Sequence, residues 1–307
     1  MNASAMAKVA ETAGDSVMIA ASGGAIMDLL VHLDGSAQDE RNIVLAETVA
    51  TAFGAHVRGV FTHEIPSTML ALGPGGEGIA YDFWEADGKA ADAAEHQARQ
   101  RLDRIDATTD FIRTDGMRHE LNTGMTTLAR SVDLVVVGRP YGQGKGGGEG
   151  KSKGWPELLE AAMFGAGTPV LAVPPTVIRP AKMKAILIGW RDTRECARAI
   201  AAALPLLQRA ERVYLVSVAE SKSRDENLRE PAADMARHLS RHGVGVEVRH
   251  LPEWPDASAG LLNEAVVVDA DLIVTGAYWR SRLREFILGG VTRDLLTVSP
   301  LPVLMAH

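Results

Sequence analysis

Short apolar runs alternate with longer amphipathic stretches along almost the whole chain. Buried parallel strands appear in a sequence as nearly continuous apolar runs, and the stretches between these runs are long enough for crossover helices. The pattern therefore predicts right-handed β-α-β units and a parallel sheet covered by helices on both faces. The predicted strands are residues 27–34, 57–63, 110–113, 133–138, 168–173, 184–192, 213–218, 244–250, 271–276 and 301–305.

The same order of elements occurs twice. In each copy the first apolar run ends in an aspartate, Asp34 or Asp192, and the last strand contains a proline near its start. A proline-bearing linker, residues 174–180, joins the copies and is short enough to hold them close together. We therefore predict a first domain at residues 26–175 and a second domain at residues 181–307.

The segment from residue 271 to residue 292 carries the clearest chemical signal. A short buried strand is followed by a loop, after which Gly289 and Gly290 open a helix. Unpaired backbone N–H groups and the helix dipole converge at such a start, which makes it suited to an anion. The two glycines also suit a tight turn without a ligand. Four arginines in the segment favour a phosphate: Arg280, Arg282, Arg284 and Arg293.

These features together resemble the tandem form of the universal stress protein family. Gly276, Trp279 and the run from Gly289 to Thr292 lie at the spacing of the G-x-x-G-x9-G-[S/T] loop of its nucleotide-binding members. The resemblance covers residues 26–307. It implies an α/β fold of two tandem Rossmann-like (adenine nucleotide alpha hydrolase-like) domains, each a five-stranded parallel sheet with helices on both faces. It also implies that the fifth strands pair across a two-fold interface, which would make the halves an intramolecular pseudo-dimer.

The resemblance also implies a site for ATP or a related adenine nucleotide in the second domain. Asp192 would accept hydrogen bonds from the base or the ribose, and Val218 would lie beside the base. Mg²⁺ would enter only with the nucleotide, and neither another metal nor a catalytic residue is expected. The remaining residues implied to line the site are Gly276, Tyr278, Gly289, Gly290, Val291 and Thr292.

Several positions depart from the family pattern. Trp279 replaces the second loop glycine, and Gly290 replaces a Ser or Thr hydroxyl. Trp279 and Trp190 would either stack on a planar ligand or pack in the core, which is the commoner role. In the first domain, Pro156 and Glu157 take the places of the glycine pair. Since proline has no N–H group and a carboxylate repels phosphate, we predict that this first site is degenerate and does not bind ATP in the family manner.

Three other motifs have simpler interpretations. The glycine-rich insert at residues 142–154 resembles a P-loop, but Lys145 stands where that motif needs a glycine, so we predict a flexible loop. His238 and His242 have a spacing that can hold a metal on a helix, but their arginine neighbours favour a solvated face. Cys196 is expected to be an inert helix residue.

Composition narrows the classes of function. The chain has 307 residues, a net charge of −7 and a single cysteine. The negative charge argues against nucleic-acid and membrane-surface binding, and one cysteine excludes an internal disulfide. Residues 1–25 lack a continuous apolar core, so we expect a flexible tail and a cytoplasmic protein.

The function predicted from the sequence is a stress-response binding protein with a degenerate ATP-type pocket in its second domain. One alternative is a scaffold or signalling partner that binds no nucleotide and acts through dimerisation, since a free sheet edge would also allow a homodimer. Another alternative is a slow ATPase. The sequence contains neither a Walker lysine in its proper context nor an identifiable general base, so a true enzyme is the least favoured interpretation.

Overall fold

The computed structural model describes most of the chain. Nearly all of the N-terminal tail, the whole glycine-rich insert and most of the proline-bearing linker lie outside the described residues, so those three predictions stay predictions. The described residues are 25–65, 77–140, 155–175, 183–219, 232–277, 279–282, 285–288 and 290–307.

The first half contains five strands and four α-helices within the described residues. Its strands are β1 (Asp28–Leu33), β2 (His56–Glu64), β3 (Thr109–Gly116), β4 (Leu134–Gly138) and β5 (Val170–Val173). Its helices are α1 (Asp39–Phe53), α2 (Glu77–Leu102), α3 (Arg118–Ala129) and α4 (Pro156–Glu160), and a π-helical segment (Ala161–Ala166) continues α4.

The second half repeats this order with one addition. Its strands are β6 (Ala185–Gly189), β7 (Arg212–Val218), β8 (Glu247–Leu251), β9 (Leu272–Gly276), β10 (Trp279–Arg282), β11 (Glu285–Leu288) and β12 (Val303–Ala306). Its helices are α5 (Arg194–Arg209), α6 (Ala233–Arg241), α7 (Ala257–Val267) and α8 (Gly290–Val298). Among the helices that the structure describes, none combines the length and apolarity that a membrane crossing requires.

Ten of the strands form one continuous sheet in the order β3-β2-β1-β4-β5-β12-β9-β6-β7-β8. Within this ten-stranded sheet, all pairings inside each half are parallel. The two halves meet where β5 pairs antiparallel with β12, with Leu171 opposite Leu304. The predicted fold class is therefore confirmed, and the fifth strands pair as the family resemblance implied.

Helices cover the sheet on both faces. On one face, α1, α2, α5 and α6 pack on a core that includes Leu29, Ile188 and Leu304. On the other face, α3, α4, α7 and α8 pack on a core that includes Leu30 and Leu187. Successive residues of a strand point to opposite faces, so the apolar runs of β1 and β6 supply both cores at once.

The two outer strands of the sheet, β3 and β8, carry ion pairs. On β3, Arg113 contacts Asp115 of the same strand and two acidic residues of α2. On β8, Arg249 contacts Glu247 of the same strand and Glu264 of α7. Charged side chains on edge strands discourage pairing with another chain. This arrangement disfavours the edge-paired homodimer that the sequence left open.

The loop predicted between residue 276 and residue 289 contains an antiparallel hairpin, β10 and β11, which the sequence interpretation did not include. Among the described residues these strands pair with each other and with no third strand, and each is four residues long. Arginines alternate through the segment, so it lacks the apolar period by which a buried strand is identified. The hairpin leads from the end of β9 towards the start of α8.

The start of α5 is fixed against the end of β9. The Thr193 side chain caps the helix by accepting a hydrogen bond from the backbone N–H of Cys196 at 3.3 Å. A Cβ atom on Gly276 would lie 2.6 Å from the backbone carbonyl carbon of Glu195 and closer still to the backbone nitrogen of Cys196. The absence of a side chain at residue 276 is therefore what lets helix and strand approach.

We expect Gly276→Ala to destabilise the protein by about 3 kcal/mol, because its methyl group meets backbone atoms that cannot rotate away. Urea unfolding of the purified variant measures this change. The matched control is Gly290→Ala, since a Cβ atom on Gly290 has no neighbour within 4 Å; its effect should stay below about 1 kcal/mol. Equal losses in the two variants would contradict this account of Gly276.

Candidate functional site

A cavity opens where the connections of the second half diverge. The chain runs from β6 to β7 on one side and returns through β9 on the other, so β6 and β9 form a topological switch point. Ligands of doubly wound sheets bind outside the carboxyl ends of the strands at such a point. The cavity there has a volume of about 450 Å³. Its lining includes Gly189, Trp190, Thr193, Val216, Val218, Trp254, Leu261, Thr275, Gly276 and Thr292.

Half of the sequence-predicted site residues line this cavity. Val218 lies at the end of β7, Gly276 at the end of β9, and Val291 and Thr292 in the first turn of α8. Thr292 is buried, with 3% of its surface exposed. The structure thus brings together, from three separate parts of the chain, residues that the sequence assigned to one ligand.

The other four predicted residues stand differently. Asp192 is exposed and lies beside the cavity, between the lining residues Arg191 and Thr193. Gly290 is the exposed first residue of α8, next to the lining. The last two, Tyr278 and Gly289, lie outside the described residues.

Two tryptophans line the cavity, of which the sequence identified one. Trp190 packs partly against the core and also faces the cavity, so its two proposed roles are compatible. Trp254 was missed: it follows β8 and lies over α7, where a Cβ atom on Gly260 would be 3.0 Å from its Cγ atom. Its position just beyond the third strand was the available signal. The side chain of Trp279 lies outside the described residues.

Charged groups of both signs line the cavity. Glu195, missed from the sequence, is 8% exposed and accepts a hydrogen bond from Arg194 at 3.1 Å. Burial alone raises the pKa of Glu195, but its own backbone N–H, the Arg194 side chain and the proximity of His307 lower it overall. Glu253 and Arg191 complete the charged lining among the described residues. The Glu195 carboxylate is therefore ionised at neutral pH.

The equivalent crevice of the first half contains an indole. Trp155 precedes α4 and is 8% exposed. Its Nε1 donates a hydrogen bond to the Oδ2 atom of Asp34 at 2.8 Å. Asp34 directly follows β1, so it stands at the carboxyl end of the strand where the second half has its cavity. The indole therefore forms a hydrogen bond with the aspartate that would otherwise face a ligand.

Two residues named from the sequence reinforce this difference between the halves. Pro156 is the first residue of α4, and Glu157 lies in its first turn. Glu157 accepts a hydrogen bond from Arg118 at 3.1 Å. A carboxylate and a proline at this helix start disfavour a phosphate, as the sequence indicated.

The histidine pair and the single cysteine, for which the sequence suggested no ligand, contact neighbouring residues of the protein. The rings of His238 and His242 lie edge to face, with centroids 4.6 Å apart. Within the described residues there is no group of three or more His, Cys, Asp or Glu side chains that could hold a metal. Cys196 is buried, and its Sγ lies 3.7 Å from the Gly189 carbonyl oxygen as a weak donor.

The chain is similar to known proteins in sequence. A family model described as the Universal stress protein family matches residues 182–307. A curated relative, a universal stress protein of Mycolicibacterium smegmatis, is 38% identical over 71 residues, which are 23% of this chain and 54% of that protein. The chain thus spans about half the length of the curated relative that it matches.

Solved structures are similar to both halves together. A universal stress protein from Archaeoglobus fulgidus has a TM-score of 0.68 at 14% identity, over 91% of this chain and 98% of that one. A putative universal stress protein from Pseudomonas aeruginosa has a TM-score of 0.55 at 15% identity, over 92% of this chain and 93% of that one. At such identities the likeness shows that the two-half fold is shared.

A buried carboxyl group lies beside Asp34 in the first half. Asp39 is 8% exposed and accepts hydrogen bonds from the backbone N–H groups of Asp34 at 3.0 Å and Gly35 at 2.9 Å. Burial, and then the negative charge of Asp34, raise the pKa of Asp39 to about 8. The folded protein therefore keeps this carboxyl group protonated at neutral pH.

The protonation of Asp39 makes the stability depend on pH. In the unfolded chain Asp39 ionises near pH 4, whereas in the folded protein it ionises near pH 8. Between these values only the folded state holds the proton, so stability falls as pH rises and levels off above pH 8. We expect Asp39→Asn to remove a slope of up to about 1.4 kcal/mol per pH unit, measured by urea unfolding at pH 5, 7 and 9. The exposed Asp106→Asn is the control, and a slope unchanged by Asp39→Asn would contradict the assignment.

Proposed function

The chain belongs to the universal stress protein family, a stress-response family, and on that premise we propose that it is a regulatory protein whose second half binds an adenine nucleotide. The observation that carries the proposal is the open cavity at the carboxyl ends of β6 and β9. Its volume of about 450 Å³ lies within the usual range for small-molecule sites. We propose one nucleotide per chain, since the corresponding crevice of the first half holds Trp155.

The lining of the cavity supports a planar base at one end. Trp190 and Trp254 offer aromatic surfaces, and an adenine ring stacks on such surfaces whatever its hydrogen-bonding edge. Val216 and Val218 supply an apolar wall from β7. Asp192 is exposed and lies between the lining residues Arg191 and Thr193. It would accept hydrogen bonds from the base or the ribose, as the family resemblance implies.

The start of α8 supports phosphates at the other end. Gly290, Val291 and Thr292 form the first turn of this helix, where the helix dipole favours an anion. Thr292 adds a hydroxyl group to the lining. Mg²⁺ would arrive with the phosphates, because no metal cluster is present within the described residues.

We propose binding without efficient hydrolysis. Within the described lining there is no lysine, and the buried carboxylate, Glu195, is already held by Arg194. Glu195 and Glu253 also oppose the charge of a triphosphate, which favours modest affinity. A ligand that is held without being consumed suits a sensor of nucleotide level.

The first test is the content of freshly purified protein. After denaturation, ultraviolet absorbance and mass spectrometry of the released material should recover close to one adenine nucleotide per chain. Two nucleotides per chain would contradict the closed first crevice. If none is recovered and titration with ATP gives no heat, the scaffold alternative replaces this proposal. Phosphate release with Mg²⁺ at about 1 per second would instead indicate an enzyme.

Gly290→Glu should weaken ATP binding by at least about tenfold, because it places a carboxylate at the phosphate end of the cavity. Gly290 tolerates a side chain, since a Cβ atom there meets nothing within 4 Å. The matched control is Gly290→Gln, which has nearly the same size without the charge and should change affinity by less than about threefold. Calorimetric titration measures both, and equal affinities for the two variants would exclude phosphate from this end.

A further inference from the structure

The environment of Trp155 is that of a bound heteroaromatic ligand. Asp34 receives the indole N–H through Oδ2 and the backbone N–H of Ser36 through Oδ1, at 2.8 and 3.0 Å. Although burial raises the pKa of Asp34, the nearby His32 and the hydrogen bonds from Ser36 and Trp155 lower it overall, so the acceptor is ionised. Asp34 is partly buried, so a donor to its carboxylate replaces hydrogen bonds to water that the crevice excludes.

The faces and edges of the indole are also contacted. The Arg118 guanidinium lies over the ring at 4.7 Å from its centroid, and two hydrogen bonds to Glu64, at 2.9 and 2.7 Å, hold Arg118 there. The His32 ring meets the indole edge to face, with centroids 5.6 Å apart. Cation–π and edge-to-face contacts of this kind select a flat aromatic ring.

The His32 ring is fixed and uncharged. Its Nε2 lies 2.7 Å from the Thr62 hydroxyl oxygen, and burial lowers the pKa of His32 despite the proximity of Asp34. The crevice thus presents one anion to the ring N–H, one cation to the ring face and one neutral ring to its edge. These contacts come from β1, the loop that follows it, β2 and α3, whereas Trp155 itself directly precedes α4.

We propose that the crevice of the first half is a binding site for planar heteroaromatic N–H donors and that the chain fills it with its own Trp155. The indole acts as an internal ligand. It satisfies Asp34 and holds the start of α4 against β1, which leaves the second half as the side that exchanges ligand. This inference is independent of nucleotide binding by the second half.

Trp155→Ala should open an indole-shaped cavity that free indole refills. At indole concentrations about tenfold above its Kd, the Tm of the variant should rise by about 3 °C, and calorimetry should give one indole per chain. Indole should not shift the Tm of the wild type or of Trp84→Ala, a control that removes a tryptophan with 57% of its surface exposed. If indole bound to the second-half cavity instead, the Tm of all three proteins would rise, which distinguishes that site from the first-half crevice.

The donor is tested with indene, which has the shape of indole without the N–H group. Indene should bind Trp155→Ala about tenfold more weakly, since it provides no donor for the Oδ2 atom of Asp34. A folded Trp155→Ala protein that shows no response to indole would overturn the proposal. Equal binding of indole and indene would overturn the role of Asp34.

A second variant covers the case in which Trp155→Ala does not fold. Trp155→Phe keeps an aromatic ring beneath Arg118 but has no N–H donor. We combine Trp155→Phe with Asp34→Ala in a double-mutant cycle. The sum of the Tm losses of the two single variants should exceed the Tm loss of the double variant by clearly more than the measurement error. Strictly additive losses would show that the indole and the carboxylate do not act as a pair.

Discussion

The antiparallel pairing of β5 with β12 is the constraint on which the rest of the architecture depends. Leu171 and Leu304, opposite each other in this pairing, are fully buried. A five-stranded parallel sheet has a fifth strand whose outer edge would otherwise be unpaired. Joining the two fifth strands removes both inner edges at once and makes the core on each face continuous across the halves. Because this pairing holds the halves together, either half can lose its ligand site while the two halves stay joined.

The two halves show how one fold supports opposite outcomes at equivalent positions. In the second half, the carboxyl ends of the strands surround a cavity, and the helix α8 begins with a glycine. In the first half, α4 begins with proline and is preceded by Trp155, whose side chain fills the crevice. Both halves have a glycine at the end of the fourth strand of the repeat, but a Cβ atom on Gly138 would meet the Cγ atom of the Gln38 side chain at 2.6 Å, whereas one on Gly276 would meet backbone atoms of α5. The order of the main elements is thus shared, whereas the residues at the loop ends differ and the second half has the additional β10–β11 hairpin.

Much of the fold could be predicted from the sequence, because buried parallel strands leave apolar runs that are visible without a structure. The order of strands, the repeat and the position of the second-half crevice follow from those runs. The contact between Trp155 and Asp34 could not be predicted, since 121 residues separate them and neither belongs to a periodic pattern. Alignment of the halves drew attention to Pro156 and Glu157, one position beyond the residue that fills the crevice. Trp254 and the β10–β11 hairpin were missed for the related reason that loop residues carry no apolar period.

The ion pairs on β3 and β8 have a consequence for the protein under denaturing conditions. Cross-β fibrils grow by adding strands to an exposed, flat and uncharged edge. In this sheet, both outer strands present arginines that are already bound to carboxylates of the neighbouring helix, Arg113 to α2 and Arg249 to α7. The charges on both outer strands would lie beside any incoming strand, and placing charges in such an interface is costly. The fold therefore resists templated aggregation at both outer strands of the main sheet that the structure describes.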